Sequence, residues 1–541
     1  MCDWAKSPVR RDQMVLFPTH LDEVVGSGHP VRLLDEILSR LDWSQWESHY
    51  NLERGQPPIH PRILAGVLLY GLMKRIRSSR ALEEALEVRL DFRWLAEGRS
   101  IDHSTLSKFR CQHPAELKKL FVQIGLVARQ MSLLPLEQLA FDGTRLRANN
   151  RRSATRTPAE VRAWRAELAK KYAELEQRMA AADAQEETLA STAGSADLPQ
   201  ELADVAHRLA VLEDVIEELD RVEAEGETVP SRIPLTDPQS RVTPNKEGGF
   251  APNYTPLATV DAQYGFIVAQ DVLAMTDEEA SLIPQLEQVQ QDFGLEGLPP
   301  EVLADGVMCT GANLQGLQDR GCTLYSPSKL SDPTKNPAHR PDLTQPVPPD
   351  QWDLLPILET KGSADKNRKK HSQLAKDAFV YDAPRDCYWC PNGQPLEMAR
   401  RSTETLKTGT QERRRYKSDP VKCAGCPLWE RCLKPNGKIR EVSRYEHDHL
   451  QEALAQRMST AESQAKYARR RHVAERPFAM IKQHYGARRF LLRGLDKVRQ
   501  EWRWLTTAFN LDRLLSLLRS RAGPVALGAS SQSTATLGII Y

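Results

Sequence analysis

The sequence predicts a mixed α/β fold, and three observations support this fold class. Residues from about 20 to 130 carry apolar positions at helical spacing, most clearly in 61–73. From Leu136 onward the pattern changes to short apolar runs typical of strands, at 138–142, 257–261, 266–274, 301–305 and 322–325. A helical pattern from about Asp277 to Phe293 separates the third run from the fourth. Strands and helices therefore alternate around one mixed sheet.

Length and charge narrow the class of protein. A chain of 541 residues is too long for one hydrophobic core, so we expect about two to four domains or inserted modules. The net charge is +2, yet arginine and lysine crowd residues 469–503. Such a block indicates a nucleic-acid partner, with a solvated helix face as the alternative. We find no signal-peptide pattern and no stretch near the roughly 20 apolar residues of a membrane span, so we expect a cytoplasmic protein without a membrane partner.

One of the N-terminal helices is a candidate for reading DNA. Asp102-His-Ser-Thr begins a short helix after a turn. Its polar side chains are those that the second helix of a helix-turn-helix presents to DNA: Ser104, Thr105, Lys108, Arg110 and Gln112. An ordinary helical bundle with a polar outer face is the alternative.

A first insertion follows the first predicted strand, from about 158 to 226. Its apolar residues alternate spacings of four and three, which is a heptad seam: Leu198, Leu202, Val205, Leu209, Leu212, Ile216 and Leu219. The pattern predicts an antiparallel helical hairpin whose helices pack on each other. A contact with a partner or a second subunit is the alternative.

A second insertion, from about 331 to 450, is rich in proline and cysteine and shows no core of its own. The patterns together divide the chain into a helical, DNA-binding N-terminal domain (1–130), the first part of the α/β core with its hairpin (131–330), this Cys-rich insertion (331–450) and C-terminal helices of the core (451–520). The remaining residues, 521–541, are small and polar without periodicity, and we expect them to be disordered.

Three carboxylates, widely separated in sequence, point to metal-dependent chemistry. Asp142 in Leu139-Ala-Phe-Asp-Gly-Thr and Asp305 in Val302-Leu-Ala-Asp-Gly each end an apolar run, whereas Glu475 lies in a basic helical segment. Strand ends place side chains at one edge of a sheet, where the two aspartates could share a metal ion. Oxygen ligands favour Mg²⁺ or Mn²⁺, and two such ions suit phosphodiester chemistry. An aspartate at a strand end can also simply cap a turn.

The helix around Glu475 adds two cations. At about 100° per residue, Arg471, Glu475 and Lys482 fall within about 40° of one another on one helical face. The carboxylate can then bind metal while the cations hold phosphates. An exposed ladder of ion pairs is the alternative, and Pro477 is expected to bend the axis.

Five cysteines gather between Cys387 and Cys432, which does not resemble a disulfide framework in so long a chain. The spacings Cys387-x-x-Cys390 and Cys423-x-x-Cys426 are typical of a structural zinc site. An iron–sulfur cluster and plain reduced thiols are the alternatives.

These motifs together resemble the DDE transposases of bacterial insertion sequences, in the ribonuclease-H-like integrase superfamily. The resemblance runs from about Gln13 to Leu515. Three N-terminal segments look like the helical domain that precedes the catalytic core: Arg54-Gly-Gln-Pro-Pro-Ile-His-Pro, Leu69-Tyr-Gly-Leu and Arg77-Ser-Ser-Arg-Ala-Leu-Glu. Three further segments match the catalytic blocks: Phe141-Asp-Gly-Thr, Ala304-Asp-Gly, and the Glu475 helix followed by Arg488-Arg-Phe-Leu-Leu-Arg-Gly.

The resemblance implies a ribonuclease-H-like core in which Asp142, Asp305 and Glu475 are the catalytic triad and bind two Mg²⁺ or Mn²⁺ ions. It implies DNA contacts from Arg471, Lys482, Arg488, Arg489 and Tyr467. Tyr467 departs from the family signature, because its two-residue gap leads to Arg470 and not to Arg471. The aromatic residue expected after the second Asp-x-Gly is replaced by Val307 and Met308. For the zinc site, the resemblance favours the ligands Cys390, Cys423, Cys426 and Cys432, and it leaves Cys387 as a spare cysteine.

The implied function is transposition. Such a protein binds the terminal inverted repeats of its element, cuts the DNA there with metal assistance, and joins the freed 3′-hydroxyl to target DNA. Because two ends must be brought together, a homodimer on DNA is expected. The alternatives are a DNA-binding protein that descends from a transposase without cutting DNA, and a nuclease with the same core that never yields joined product.

Overall fold

A computed structural model of the chain describes residues 20–50, 57–151, 153–186, 198–245, 248–275, 277–358, 373–406, 409–433 and 437–521. The start of the resemblance near Gln13, the segment at Arg54–Gln56 and the predicted tail beyond residue 521 lie outside the described residues. Within them, none of the helices is both long and apolar enough to span a membrane.

The N-terminal part of the described chain is helical, and three of its helices begin at the proline of a His-Pro pair. Pro30 and Pro61 occupy first helical positions, and the Nδ1 atoms of His29 and His60 accept hydrogen bonds from the backbone one residue further on, at 3.3 and 3.1 Å. Proline suits this position because its missing N–H would have no intrahelical partner. The helices are α1 (Pro30–Ser39), α2 (Ser44–Glu47), α3 (Pro61–Met73), α4 (Ser79–Val88), α5 (Leu90–Leu95), α6 (His103–Cys111) and α7 (Pro114–Gln130).

The next part of the chain alternates strands and helices, as predicted. Its elements are β1 (Gln138–Gly143), β2 (Leu146–Arg147), β3 (Thr155–Arg156), α8 (Pro158–Glu186), α9 (Leu198–Ala224), β4 (Ile233–Pro234), β5 (Arg241–Pro244), β6 (Phe250–Asp261), β7 (Ile267–Leu273), α10 (Leu282–Phe293), β8 (Glu301–Leu303), α11 (Gly311–Asp319) and β9 (Thr323–Tyr325). All five predicted strand runs coincide with β1, β6, β7, β8 and β9.

One mixed sheet holds these strands together. Strand β6 pairs antiparallel with β7 on one side and with β1 on the other, and β1, β8 and β9 then run parallel to one another. The turn from β6 to β7 passes through Gly265 at φ 75°, a left-handed conformation that favours glycine. The central residues of β1 and β8 are fully buried, as parallel strands covered on both faces require. The predicted mixed α/β sheet is therefore confirmed.

Helices α8 and α9 fill the first insertion and pack against each other. Their shared core consists of Val161, Leu168, Leu175, Val205, Leu212, Val215, Leu219 and Ile233. Ion pairs show the antiparallel arrangement, since Arg162 contacts Glu223 and Lys171 contacts Glu201, both at 2.8 Å. The heptad residues Val205, Leu212 and Leu219 are thus covered by the hairpin itself.

The second insertion has a core of its own, so the sequence-based expectation that it lacks one is wrong. Its elements are β10 (Ile357–Leu358), β11 (Gln373–Leu374), β12 (Val380–Asp382), β13 (Cys387–Trp389), β14 (Pro395–Leu406), β15 (Gly409–Ser418), α12 (Pro420–Cys423), α13 (Trp429–Cys432) and β16 (Glu441–Tyr445). Strands β12 to β16 form an antiparallel sheet in sequence order. Tyr388, Leu396, Tyr416 and Val442 from this sheet pack against Leu374 and Phe379. Periodicity missed the core because its apolar residues come from many short segments.

The described chain ends in three helices, α14 (Asp448–Met458), α15 (Ala461–Ala479) and α16 (Leu495–Arg521). Pro477 lies inside α15, and the residues after Ala479 form a π-helical turn, Met480–His484. Distortion near a proline is expected because the ring removes a donor and crowds the preceding turn.

The chain divides into two units. The first comprises residues 1–132, 479–492 and 496–541, and the second comprises 133–478 and 493–495. The first unit therefore joins the N-terminal helices to most of α16, which the sequence analysis assigned to the core. Within it, Arg77 forms a buried ion pair with Glu501 (2.7 Å) and donates to the carbonyls of Gly486 and Arg489. The amides of Leu491 and Leu492 donate to the same glutamate, so this pair holds the connection before α16.

Candidate functional site

Asp142 and Asp305 lie side by side at one edge of the mixed sheet. Strands β1 and β8 are parallel, and Ala140 is opposite Leu303. Asp142 comes two residues after Ala140, and Asp305 comes two residues after Leu303. The two aspartate side chains therefore leave the sheet at the same level. The guanidinium of Arg470 lies between them, with Nη2 3.0 Å from Asp142 Oδ1 and 3.8 Å from Asp305 Oδ2.

Both aspartates also interact with the local backbone. The amide of Gly143 donates to Asp142 Oδ1 (2.9 Å), and Asp305 caps a 3₁₀ turn (Gly306–Met308) through the amide of Val307 (3.4 Å). The Asp142 side chain is 20% exposed and that of Asp305 is 57% exposed. Turn capping therefore fixes Asp305 without removing its carboxylate from solvent.

Helix α15 crosses the sheet next to the aspartates. Ala474 on this helix packs against Ala140, Leu303 and Tyr325. Arg470 is one turn before Ala474, and this spacing brings its side chain over the strand ends. Tyr467 is one further turn back; burial raises its pKa, the Arg470 charge opposes that rise, and Asp305 adds to it. Tyr467 and Arg470 thus both lie at the aspartates.

Arg470 is a site residue that sequence reasoning missed. The family signature directs attention to Arg471, but the Arg471 side chain is 82% exposed and contacts Glu475, Nε to Oε2, at 3.8 Å. The gap between Tyr467 and Arg470, which looked like a departure from the signature, was the usable signal. Glu475 directly follows Ala474 on α15, and its side chain is 58% exposed.

Glu278 is a second residue that the sequence did not reveal. It lies between β7 and α10, and its carboxylate occupies the space beside Gly143, where any larger side chain would collide with it. Burial and then the charge of Asp142 raise the pKa of Glu278 to about 7, with Asp305 adding to the rise while Arg145 and Arg470 oppose it. The strand edge therefore gathers three acidic groups, and the glycine of Phe141-Asp-Gly-Thr makes room for one of them.

The remaining predicted DNA contacts are divided between the two units. Arg471 and Tyr467 belong to the second unit. Lys482 lies in the π-helical turn of the first unit, and Arg488 and Arg489 are exposed in the same unit. The π-helical turn changes the rotation per residue before Lys482, so the even 100° steps that predicted one shared face do not apply along the whole segment.

Two of the predicted DNA-reading side chains of α6 are engaged within the first unit. The Thr105 hydroxyl donates to Asp102 Oδ2 (2.8 Å), and Arg110 donates to the Arg77 carbonyl (2.8 Å). Ser104 and Lys108 of α6 are exposed, and so is Gln112 directly after it. A DNA-reading role for α6 stays a prediction, and these three exposed residues are its strongest support.

Four of the five clustered cysteines line one small cavity in the second insertion. Cys390, Cys423, Cys426 and Cys432 surround a space of about 30 Å³. Cys390 Sγ accepts from the amide of Gln394 (3.3 Å) in a turn closed by Gly393 at φ 71°. Burial raises the pKa of the Cys390 thiol, and the Gln394 amide opposes that rise because it favours the thiolate. Cys387 is buried on β13 opposite Glu397 and does not line the cavity.

A buried arginine adjoins this cavity. The Arg440 residue is 8% exposed, and its guanidinium donates to the carbonyls of Cys432 (3.0 Å) and Leu374 (2.7 Å) while Nε has no partner among the described residues. Burial lowers its pKa, and the Cys432 thiol is the group that opposes this. A buried cation calls for a negative partner, and thiolates beside it would supply that charge.

Two family models match the chain. Residues 389–515 match the transposase DDE domain, and residues 19–112 match a transposase domain, DUF772. No curated protein matches the chain. The predicted recognition, a DDE transposase of an insertion sequence, is thereby confirmed. The first match includes Glu475 and the four cavity cysteines, whereas Asp142 and Asp305 lie outside both matched ranges.

Proposed function

We propose that this transposase binds the ends of its element, cleaves the DNA there and transfers the freed strand to target DNA, with Asp142, Asp305 and Glu475 as its catalytic triad. The observation that supports this most directly is the pair of aspartates at adjacent parallel strand ends, beneath the helix that carries Glu475. The strand order β7-β6-β1-β8-β9, antiparallel and then parallel, supports a ribonuclease-H-like core.

The acidic groups fit a divalent metal. Asp142, Asp305 and Glu278 offer oxygen ligands at one sheet edge, and Arg470 lies among them as a cation. Hard oxygen donors of this kind suit Mg²⁺ or Mn²⁺. Two such ions, when bound, would activate the attacking oxygen and stabilise the leaving one. In this proposal Asp142 and Asp305 hold the ions and Glu475 completes the second site.

The chain's cations would hold the DNA. Arg470 and Tyr467 lie at the aspartates, so they would contact the scissile phosphate, and exposed Arg471 would contact the next one. Lys482, Arg488 and Arg489 of the first unit would contact flanking phosphates. Phosphate contacts position the duplex without reading its sequence. The terminal inverted repeats would be read by the N-terminal helices, and a homodimer would hold the two ends.

We also propose that Cys390, Cys423, Cys426 and Cys432 hold a structural zinc ion. Four thiolates around Zn²⁺ form a closed tetrahedral site with a net charge of about −2. Buried Arg440 would balance part of this negative charge. Neutral thiols would instead leave the positive charge of Arg440 uncompensated.

Cleavage of a supercoiled plasmid that carries the element ends tests the triad. Asp142→Asn, Asp305→Asn and Glu475→Gln should each reduce Mg²⁺-dependent cleavage at least about 100-fold, because each removes a metal ligand, while binding to the same DNA in a gel-shift assay persists. Glu462→Gln is the matched control, since Glu462 lies on the same helix and is 82% exposed.

Three results would contradict the proposal. Wild-type cleavage by Asp142→Asn would exclude the triad. Binding without strand breakage by the wild-type protein would indicate a DNA-binding protein alone. Cleavage without joined product, measured by recovery of the element ends in a target plasmid, would indicate a nuclease.

A further inference from the structure

A second cluster of metal-binding side chains lies in the first unit, and it takes no part in the proposed DNA chemistry. His49, His113 and Glu116 each offer a ligand atom, and the three atoms lie within 4.8 Å of one another. The Nε2 atom of His49 is 2.8 Å from Glu116 Oε1, and the rings of His49 and His113 are 4.4 Å apart. The three residues come from the segment after α2, the residue before α7 and the first turn of α7.

The surrounding residues hold His113 in a defined position. Its backbone is left-handed, at φ 60° and ψ 53°, which is uncommon for a residue other than glycine. Its ring packs against the ring of buried Trp46, at 5.6 Å between centroids, and Trp46 in turn stacks on Phe109 at 5.0 Å. Strained backbone positions that the surroundings enforce are enriched at functional sites.

The position of the cluster suits metal binding. His113 is partly buried beside Trp46, and Glu116 is largely shielded from solvent, so few water molecules compete with an ion for these ligands. The Glu116 side chain is 13% exposed and the His49 side chain 43% exposed, so an ion can reach the cluster from solvent.

We propose that His49, His113 and Glu116 bind one Zn²⁺ or a similar first-row transition-metal ion, with solvent in the fourth position. Two imidazoles and a carboxylate are a common zinc donor set, whereas Mg²⁺ prefers oxygen ligands alone. The ion ties the segment after α2 to the start of α7. On binding, His49 gives up its Nε2 hydrogen bond to Glu116, and both atoms turn to the metal.

Metal titration of the full-length protein tests this site. Zinc content per chain, measured by mass spectrometry after equilibrium dialysis, should fall by one ion in His113→Asn and Glu116→Gln relative to the wild type. Asn is chosen at position 113 because it tolerates the left-handed backbone. Loss of a residue that only hydrogen-bonds to a metal ligand already weakens metal binding about tenfold or more. Loss of a ligand itself should therefore weaken Zn²⁺ binding at this site at least about tenfold.

His103→Asn is the matched control. His103 pairs with Glu83 at 2.9 Å, and its side chain is 44% exposed. Within the part of the chain that the structure describes, this pair belongs to no group of three metal-binding side chains. It should retain the wild-type zinc content. Replacing Zn²⁺ by Co²⁺ separates this site from the cysteines, because thiolate ligation adds sulfur-to-metal absorption and this site does not.

Unchanged zinc content and affinity in both His113→Asn and Glu116→Gln would overturn the proposal, provided that the variants melt at the wild-type temperature in a chelator. If His113→Asn does not fold, His49→Gln replaces it with the same expected loss. Neither result depends on DNA cleavage, so failure of this site would leave the triad untouched.

Discussion

At the scale of single residues, Arg470 and a metal ion would compete for the same two carboxylates. Its guanidinium contacts Asp142 and Asp305, and the Arg470 side chain is 12% exposed. A cation a few ångströms from a bound divalent ion weakens its binding, because like charges repel more strongly where water is partly excluded. Removal of Arg470 should therefore strengthen metal binding while it weakens DNA cleavage.

The test is a Mn²⁺ titration by calorimetry without DNA. Arg470→Ala should bind Mn²⁺ about tenfold more tightly than the wild type. The reason is that the variant lacks the repulsion between the guanidinium and the ion, which amounts to about a few kcal/mol or less. Arg471→Ala is the control, because its side chain is 82% exposed and contacts Glu475. Equal affinities in Arg470→Ala and the wild type would mean that the ions bind elsewhere.

Gly143 and Glu278 give a second prediction at this scale. A methyl group on Gly143 would collide with the Glu278 carboxylate, which is the mobile end of a side chain and can move away. Gly143→Ala should thus displace the carboxylate with little loss of stability and reduce cleavage about tenfold or more, the usual effect of losing a group beside a metal site.

Glu278→Gln should reproduce the effect of Gly143→Ala on cleavage, whereas Glu279→Gln, its neighbour, should not. Thermal unfolding of each variant separates this outcome from misfolding. If Glu278→Gln cleaves at the wild-type rate, Glu278 has no part in the reaction.

At the scale of elements, the base of the α8–α9 hairpin is tied to the sheet by a buried ion cluster. Glu218 on α9 is 2.8 Å from Arg241 of β5 and 2.8 Å from Arg221. Burial alone raises the pKa of Glu218, but the hydrogen bonds from Arg221 and Arg241 outweigh it and hold the pKa below the ordinary value. The charged form is therefore the one that stabilises the fold.

Glu218→Gln should lower the free energy of unfolding by about 3 kcal/mol at pH 7, because it leaves partly buried Arg241 without its charged partner at 2.8 Å. The pKa is lowered in the folded state, so this contribution is present above the ordinary carboxyl range and is lost as the pH falls from that range through the lower pKa of the folded protein. Denaturant unfolding from pH 7 down to about pH 3 measures the difference.

Glu223→Gln on the same helix is the control. Glu223 pairs with Arg162 at 2.8 Å, but both side chains are more than 40% exposed, so its loss should cost less than about 1 kcal/mol. Equal losses in the two variants would mean that the buried cluster does not hold the hairpin base.

At the scale of the whole molecule, we expect both the zinc site and the hydrophobic core to stabilise the second insertion. Cys390→Ser, Cys423→Ser, Cys426→Ser and Cys432→Ser should each remove one zinc per chain, whereas Cys387→Ser should keep it, because Cys387 lies off the cavity. Metal analysis of the purified variants checks this.

The buried core around Tyr388 and Tyr416 is built from residues other than the four cysteines, so it should remain when the zinc is lost. Loss of zinc should therefore destabilise the insertion by much less than the roughly 10 to 16 kcal/mol of binding free energy in zinc-finger peptides, which have little other core. We expect faster proteolysis of the insertion in a chelator rather than unfolding of the chain. An insertion that stays equally resistant with and without chelator would contradict a structural zinc site.

Local sequence patterns predicted the strands of the mixed sheet and the helical hairpin, but not the core of the second insertion. Short apolar runs identified the strands that end at Asp142 and Asp305, since side chains on a buried strand must be apolar, and heptad spacing identified the hairpin, since its seam must be covered. The motifs around Asp142, Asp305 and Glu475 indicated a transposase, and both matching family models are transposase domains.

Which side chains meet depends on the tertiary structure. Arg470 contacts Asp142 and Asp305 although it is more than 100 positions from either, and Glu278 is also more than 100 positions from Asp142. Arg440 donates to the Leu374 carbonyl across 66 positions. Such meetings depend on strand register and helix packing, which no local pattern records. For the same reason Arg470 and not Arg471 reaches the aspartates: one step of about 100° along α15 separates the residue over the strand ends from its exposed neighbour.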